Sequence, residues 1–150
     1  MAETIPDLLP RETVLHIRDT CLCLAAQRAA RRLARRFDAA FKPLGLTNSQ
    51  FSLMVALNQP APPPIGRLAP FLGTDPSTLT AAVKPLARRG LLTVEPDPDD
   101  RRARRLRITP EGVALMRQAV AIWQITHAQL DGEIPDETAD SIRNGLAQIR

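Results

Sequence analysis

Two short helical segments joined by a tight turn lie in the middle of the 150-residue chain and constrain its fold more than any other feature. The first, residues 65–72, carries apolar side chains on one side and ends at Gly73. The second begins at Asp75-Pro76, an N-cap followed by proline at the first helical position, which is a strong start signal. Over residues 76–89 its apolar residues recur at helical spacing: Leu79, Val83 and Leu86. This order predicts a helix-turn-helix.

Two segments in which apolar and polar residues alternate follow the second helix. Residues 92–95 and 106–108 have this pattern, which is typical of short strands. The acidic, turn-forming residues 96–100 lie between them, followed by the basic residues 101–105. A hairpin in this place after a helix-turn-helix is a wing.

Helices are expected on both sides of this central part. Residues 13–40 predict one long amphipathic helix, and residues 110–130 and 135–149 predict two more. A capping box, Thr47 with Gln50, predicts a helix over residues 47–58 that buries four apolar side chains: Phe51, Met54, Val55 and Leu57. The predicted class is mainly α with a small β-hairpin (α+β). The length suits one continuous domain.

Several classes of protein are disfavoured by what the sequence lacks. It contains no GxGxxG, P-loop, HExxH or GxSxG pattern, so we expect no enzyme, cofactor or metal site. No segment is long and apolar enough to cross a bilayer, and residues 1–7 lack a leader, which predicts a cytoplasmic protein. Cys21 and Cys23, the two cysteines, would point apart on a helix and should be reduced thiols.

Arginine dominates the basic residues of the chain. Only Lys42 and Lys84 are lysines among 20 basic residues, which leaves 20 − 2 = 18 arginines. The formal net charge of +4 permits a polyanionic partner without requiring one. Arg28 to Arg36 decorate the long first helix, where a solvated face is the favoured interpretation, whereas the wing arginines form a separate basic run.

The order of elements and six motifs together resemble the MarR family of bacterial winged-helix transcriptional regulators. These motifs are Leu44-Gly-Leu-Thr-x-x-Gln50, Ile65-x-x-Leu68-Ala, Thr78-Leu-Thr, Leu86-x-x-Arg89-Gly-Leu-Leu92, Asp100-Arg-Arg and Leu106-x-Ile-Thr-x-x-Gly112. The resemblance implies a homodimer held together by residues 1–46 and 109–150, with a winged helix-turn-helix over residues 47–108. It further implies a repressor whose second helix enters the major groove of each half-site of a pseudo-palindromic operator.

Candidate DNA-binding residues lie on the second helix and the wing. Hydroxyls, a small residue and two cations are expected to face outward from the helix toward phosphates and base edges: Ser77, Thr78, Thr80, Ala81, Lys84 and Arg88. On the wing the candidates are Arg101, Arg102 and Arg104, and the resemblance implies that Arg102 enters the minor groove, with Asp100 orienting it. Many family members carry Asp-Arg where this chain has Lys84-Pro85, and Pro85 should kink the helix.

Two modes of regulation and one alternative function remain open. Family members commonly bind small aromatic acids, for which the candidate residues are His16, Arg18, Phe37, Trp123 and His127; the alternative is that the aromatic residues belong to the core and the histidines to the surface. Cys23 matches the reactive cysteine of the hydroperoxide-sensing branch, although Gln27, Phe37 and Asn48 stand where that branch has tyrosines. The Lys84-Pro85 departure also motivates a protein-interaction module without DNA binding.

Overall fold

The computed structural model describes residues 8–149, so the expectation that residues 1–7 carry no leader lies outside the described part. The elements are α1 (Arg11–Thr20), α2 (Leu22–Phe41), a short 3₁₀ helix (Lys42–Leu44), α3 (Asn48–Ala56), α4 (Ile65–Phe71), α5 (Pro76–Arg88), β1 (Leu92–Pro96), β2 (Arg104–Ile108), α6 (Pro110–Glu133) and α7 (Asp136–Ala147). The mainly helical fold with one hairpin is confirmed. The chain divides into two compact units, and the boundary between them lies between Arg35 and Arg36 in α2.

The first unit contains α1 and most of α2, and here the prediction of one uninterrupted helix is wrong. Cys21 leaves the helical region, with φ −71° and ψ 105°, and separates α1 from α2. The Thr20 hydroxyl donates to the carbonyl of His16 at 2.7 Å, a bond that competes with regular helix geometry. The amide of Leu24 donates to Cys21 Sγ at 3.4 Å, so the cysteine satisfies one of the unpaired donors at the start of α2.

The second unit is built around one apolar core. The end of α2 inserts Phe37 and Phe41, and the Phe41 and Phe51 rings lie 4.7 Å apart. The core continues through buried residues of α3, α5, the hairpin and α6: Leu53, Met54, Leu79, Val83, Leu86, Leu92, Leu106, Met116 and Ala119. A bidentate pair between Arg36 and Glu133, at 2.7 and 2.6 Å, joins the ends of α2 and α6.

Helix α3 begins as predicted, and three of the four expected core residues are buried: Phe51, Met54 and Leu57. Both halves of the Thr47 and Gln50 capping box are present. Val55, expected in the core, is 46% exposed, and Leu53 is fully buried instead. Because most residues in this nine-residue helix are apolar or small, their spacing alone could not identify the buried face.

The hairpin pairs β1 with β2 in antiparallel register, with Leu92 opposite Ile108 and Pro96 opposite Arg104. Helix α6 starts immediately after it, and the Thr109 side chain caps it by accepting from the amide of Gly112 at 3.0 Å. In residues 8–149 no helix is both long and apolar enough to cross a membrane.

Candidate nucleic-acid interface and ligand pocket

The first turn of α5 is held by the carboxylate of its N-cap, Asp75. Asp75 accepts from the amide and the hydroxyl of Thr78, at 2.8 and 2.7 Å, and from the hydroxyl of Ser77. These bonds hold the pKa of Asp75 well below its usual range, and the bond from the Ser77 hydroxyl has the largest effect. The Thr80 hydroxyl donates to the carbonyl of Pro76 at 2.8 Å. All three hydroxyl protons are therefore used within the helix, and the oxygens are left as acceptors toward solvent.

The outward face of α5 has the predicted composition. All six candidate residues of this helix are exposed, whereas its three apolar residues are buried. The helix is amphipathic because its core contacts recur at i, i+4 and i+7, which leaves the intervening positions on one solvent-facing side. The face presents three hydroxyl oxygens and Ala81 near the N-terminus, followed by the cations Lys84 and Arg88.

Helix α5 continues through Pro85, the residue at which the sequence predicts a kink, and ends at Arg88. The next residue, Arg89, donates to the carbonyls of Gly45 and Leu44 at 2.7 and 2.9 Å. This clamp fixes the C-terminal end of α5 to the turn after α2, in which Gly45 has φ +64°. The sequence predicts no such contact for Arg89, because the two carbonyls are more than 40 residues away.

The wing carries two arginines at its tip and two that are held by carboxylates. Arg101 and Arg102 are exposed and form no ion pair within residues 8–149. Arg105 pairs with Asp97 at 2.8 Å, and Arg107 pairs with Glu95 at 2.9 Å. Four of the five wing arginines thus divide into two at the tip that are available to a partner and two that are tied to the hairpin, and the fifth, Arg104, bonds to carbonyls of the turn.

Asp100 and Arg104 organise the turn at the wing tip. The Asp100 carboxylate accepts from the backbone amide of Arg102 at 2.9 Å, so Asp100 holds the main chain where the sequence suggested that it orients the Arg102 side chain. The guanidinium of Arg104 donates to the carbonyls of Arg101 and Ala103, at 3.2 and 3.1 Å. Both interactions close the turn that presents Arg101 and Arg102.

A cavity of about 1170 Å³ lies between α3, the proline-rich segment after it, α4, the turn end of the wing and α6. Its walls are mostly apolar and include Val55, Phe71 and Trp123, and Phe71 is 77% exposed. Its charged residues are Arg67, Asp97, Asp99, Asp100 and Arg105. An apolar cavity with a few converging polar groups is typical of a small-molecule site.

Of the five candidate effector residues, only Trp123 is among the described residues that line this cavity. The His127 ring lies next to Trp123, with the two ring centroids 4.8 Å apart. The centroids of the His127 and Phe37 rings are 6.1 Å apart. The Nδ1 atom of His127 is 3.2 Å from a carboxylate oxygen of Asp131. His16 and Arg18 lie on α1 in the first unit, where Arg18 pairs with Asp19.

Both cysteines are free thiols, as expected, and Cys23 is exposed on α2. The side-chain amide of Gln27 donates to Cys23 Sγ at 3.3 Å, so one of the residues that replace the tyrosines of the hydroperoxide-sensing branch does contact the sulfur. Within residues 8–149, no three His, Cys, Asp or Glu side chains are grouped closely enough to hold a metal ion.

Comparisons with known proteins agree with this geometry. The sequence profile of the MarR family matches residues 46–103. The uncharacterized HTH-type transcriptional regulator YhbI of Bacillus subtilis is 30% identical over 82 residues, which cover 55% of this chain and 53% of YhbI. The chain therefore spans about half the length of that curated relative.

Two solved structures are similar over most of the chain. The transcriptional regulator MosR of M. tuberculosis, solved in complex with DNA, is 32% identical with a TM-score of 0.72, over 85% of this chain and 95% of MosR. CouR from Rhodococcus jostii RHA1, solved bound to p-coumaroyl-CoA, is 27% identical with a TM-score of 0.74, over 87% of this chain and 92% of CouR. With its helix-turn-helix, its wing and these matches, the chain belongs to the MarR family of winged-helix transcriptional regulators.

Proposed function

We propose that the protein is a homodimeric, sequence-specific repressor that binds a pseudo-palindromic operator and is not an enzyme. The observation that carries this proposal is the outward face of α5, which lies in the same compact unit as the exposed wing-tip arginines Arg101 and Arg102. An amphipathic helix fits the major groove, and a wing arginine suits a narrow minor groove with enhanced negative potential. MosR and CouR, both solved with DNA, support the assignment.

Charge and hydrogen bonding suggest how α5 would read its site. Lys84 and Arg88, one and two turns beyond the hydroxyl cluster, are placed to contact phosphates. The hydroxyl oxygens of Ser77, Thr78 and Thr80 remain available as acceptors, and the matching donors in the major groove are the amino groups of adenine and cytosine.

Dimerisation would cover the apolar residues that the terminal helices leave exposed. On α1 and α2 these are Val14, Ile17, Leu22 and Leu33, and at the C-terminal end they are Ile142, Leu146 and Ile149. Buried apolar surface contributes about 25 cal/mol per Å², so exposed faces of this kind favour association. We assign the dimer contacts to residues 1–46 and 109–150 and DNA binding to residues 47–108, and we place the protein in the cytoplasm.

We propose that the cavity beside Trp123 holds a small effector with an aromatic or other apolar body. Its apolar walls support this proposal, as does the p-coumaroyl-CoA bound to CouR. Trp123 is the single tryptophan of the chain, so its fluorescence reports on the cavity directly. Aromatic carboxylic acids are the first ligands to titrate, and quenching that saturates, together with release of DNA, is the expected result.

Selection from random duplex DNA, followed by fluorescence anisotropy, tests the DNA-binding proposal. We expect a two-fold symmetric consensus that binds far more tightly than a scrambled duplex, with strong salt dependence. Arg102→Ala should weaken specific binding by about 1–3 kcal/mol. Arg117→Ala is the matched control, because Arg117 is an exposed arginine on α6 and its loss changes the net charge equally.

Equal affinity for the selected and scrambled duplexes would refute the proposal and favour a protein-interaction module without specific DNA binding. A consensus without symmetry would contradict the homodimer. If Arg102→Ala binds like Arg117→Ala, the wing assignment is wrong.

A second mode of control rests on the exposure of Cys23 and its contact with Gln27. We propose that oxidation of this thiol releases the operator. Treatment with cumene hydroperoxide should then abolish specific binding by the parent but leave Cys23→Ser unaffected, and a thiol reductant should restore it. Equal sensitivity of Cys23→Ser would assign the effect to another residue, for which Cys21→Ser is the control.

A further inference from the structure

A bidentate ion pair joins the two arms of the wing where the strands meet the turn, between Asp97, which follows β1, and Arg105 on β2. The guanidinium of Arg105 donates to both carboxylate oxygens of Asp97, at 2.8 and 3.1 Å. The Asp97 side chain is 7% exposed and that of Arg105 is 26% exposed. Asp97 also accepts from the amide of Asp99 at 2.9 Å, and its own amide donates to the carbonyl of Ala103 at 3.2 Å. One nearly buried carboxylate thus holds both ends of the wing turn, and Arg105 also donates to the exposed Asp99 carboxylate at 3.3 Å.

This pair differs from the second ion pair on the same hairpin. Arg107 makes one hydrogen bond to Glu95, and their side chains are 51% and 37% exposed, so the pair is hydrated and screened. A fork of two parallel bonds fixes the plane of the guanidinium as well as its distance, and loss of the partner leaves a desolvated carboxylate at Asp97. Because both arginines are on β2, Arg107 is a matched control for Arg105.

The same pair forms part of the wall of the ligand cavity. Asp97 and Arg105 both line it, as does Trp123 on α6. The wall also includes Pro63, whose carbonyl accepts from the amide of Leu106 at 3.1 Å and so ties the segment after α3 to β2. A ligand in the cavity would therefore contact the Asp97–Arg105 pair together with Asp99 and Asp100 of the wing turn.

We propose that Asp97 and Arg105 are a positioning pair, which sets the wing-tip arginines for DNA and transmits occupancy of the cavity to them. The part of this inference that concerns DNA rests on the function proposed above. Arg105 is the more exposed member, so a ligand would act through an acceptor group, such as a carboxylate or sulfonate, that draws the guanidinium away from Asp97. Arg67, also at the cavity, offsets part of the repulsion from the neighbouring aspartates.

Amide hydrogen exchange of the wing tests the positioning role without any DNA. In Arg105→Gln we expect the amides of Asp97, Asp99 and Ala103 to exchange about tenfold faster than in the parent, whereas Arg107→Gln leaves them within about twofold. Arg105→Lys should resemble Arg105→Gln, since lysine keeps the charge but lacks the fork. Equal exchange in Arg105→Gln and Arg107→Gln would overturn the proposal.

DNA affinity separates positioning from simple charge. Arg105→Gln should lose about tenfold more affinity for the selected duplex than Arg107→Gln, while both lose the same small factor for a scrambled duplex. Equal losses on the selected duplex would mean that Arg105 contributes to binding only through its charge, which would contradict the inference. Should Arg105→Gln fail to fold, the Asp97→Asn/Arg105→Gln double variant replaces it, because it removes both charges while leaving a side-chain hydrogen bond possible. Its loss of affinity is then compared with that of Arg107→Gln.

The transmission role is tested with the probe 1-anilinonaphthalene-8-sulfonate, whose binding is followed by energy transfer from Trp123. The probe should speed amide exchange in the wing of the parent and of Arg107→Gln by about fivefold, and change Arg105→Gln by less than about twofold. No effect on the parent, or an equal effect on Arg105→Gln, would overturn transmission. Because exchange is measured without DNA, these failures are distinct from a parent that does not bind its duplex specifically.

Discussion

Helix α6 begins so close to the hairpin that only glycine fits at residue 112. A methyl carbon on Gly112 would overlap the carbonyl oxygen of Leu91 and lie 2.8 Å from Cγ1 of Ile108. Leu91 is backbone, so rotation of a side chain cannot relieve the overlap, and the start of α6 has to move. That movement would break the bond from the Thr109 amide to the same Leu91 carbonyl, now 3.1 Å long.

The expected cost of Gly112→Ala follows from three contributions. Overpacking against rigid structure costs about 3 kcal/mol at the upper end of the usual range. The lost Thr109 hydrogen bond adds about 1 kcal/mol. Alanine regains about 1 kcal/mol of helix propensity. We therefore expect the free energy of unfolding to fall by about 3 kcal/mol, measured by urea denaturation with circular dichroism at one fixed protein concentration.

Gly132→Ala is the matched control in the same helix. Apart from the adjacent residues and the helix's own backbone, no atom lies within 4 Å of a methyl group at that position, so the variant should be as stable as the parent or gain up to about 1 kcal/mol. If the free energy of unfolding of Gly112→Ala is within about 0.5 kcal/mol of that of the parent, the close packing of α6 on the hairpin is refuted.

Three further predictions concern stability. Thr47→Ala removes the capping box of α3 and should lower the free energy of unfolding by about 1 kcal/mol in the same urea assay, whereas Thr47→Ser should retain most of it. Leu106→Ala empties a fully buried core position and should cost about 2–5 kcal/mol by the same measurement. The hydrogen bond from Arg36 lowers the pKa of Glu133 below the ordinary 4.5. The stabilisation that this pair gives the folded state is therefore present above pH 4.5 and is lost as the pH falls through the lower folded pKa. Urea midpoints from pH 6 down to about 3 should therefore fall less steeply for Glu133→Gln than for the parent, and equal slopes would contradict the pairing.

Local signals in the sequence were sufficient wherever an element depends on its own residues. The N-cap at Asp75 and the 3.6-residue period placed α5, its buried side and its outward face correctly. The break at Cys21 was missed because the apolar residues keep their helical period across it, and the Thr20 hydroxyl bond and the Cys21 sulfur contact found there do not alter that period. In α3, Val55 and Leu53 are both apolar, and packing against other helices decided between them.

The parts of the site that depend on distant residues could not be read from the sequence. The bond from Arg89 to Gly45 spans the helix-turn-helix, and the pairing of Arg105 with Asp97 requires the strand register. In the sequence, both arginines belong to basic runs in which every member has the same chemistry. The sequence identified Trp123 as a candidate pocket residue. The rest of the apolar cavity wall consists of residues whose pattern predicted a place in the core or in a connection.

A hydroxyl-radical footprint of the parent and of Arg102→Ala on the selected duplex tests whether two α5 helices and their wings bind DNA together. We expect two protected segments about 10 base pairs apart, or a multiple of that spacing, flanked by protected minor grooves. Arg102→Ala should lose the flanking protection and keep the two segments. A single unsymmetrical segment, or a uniform loss of protection in Arg102→Ala, would contradict binding by two α5 helices with the wings beside them.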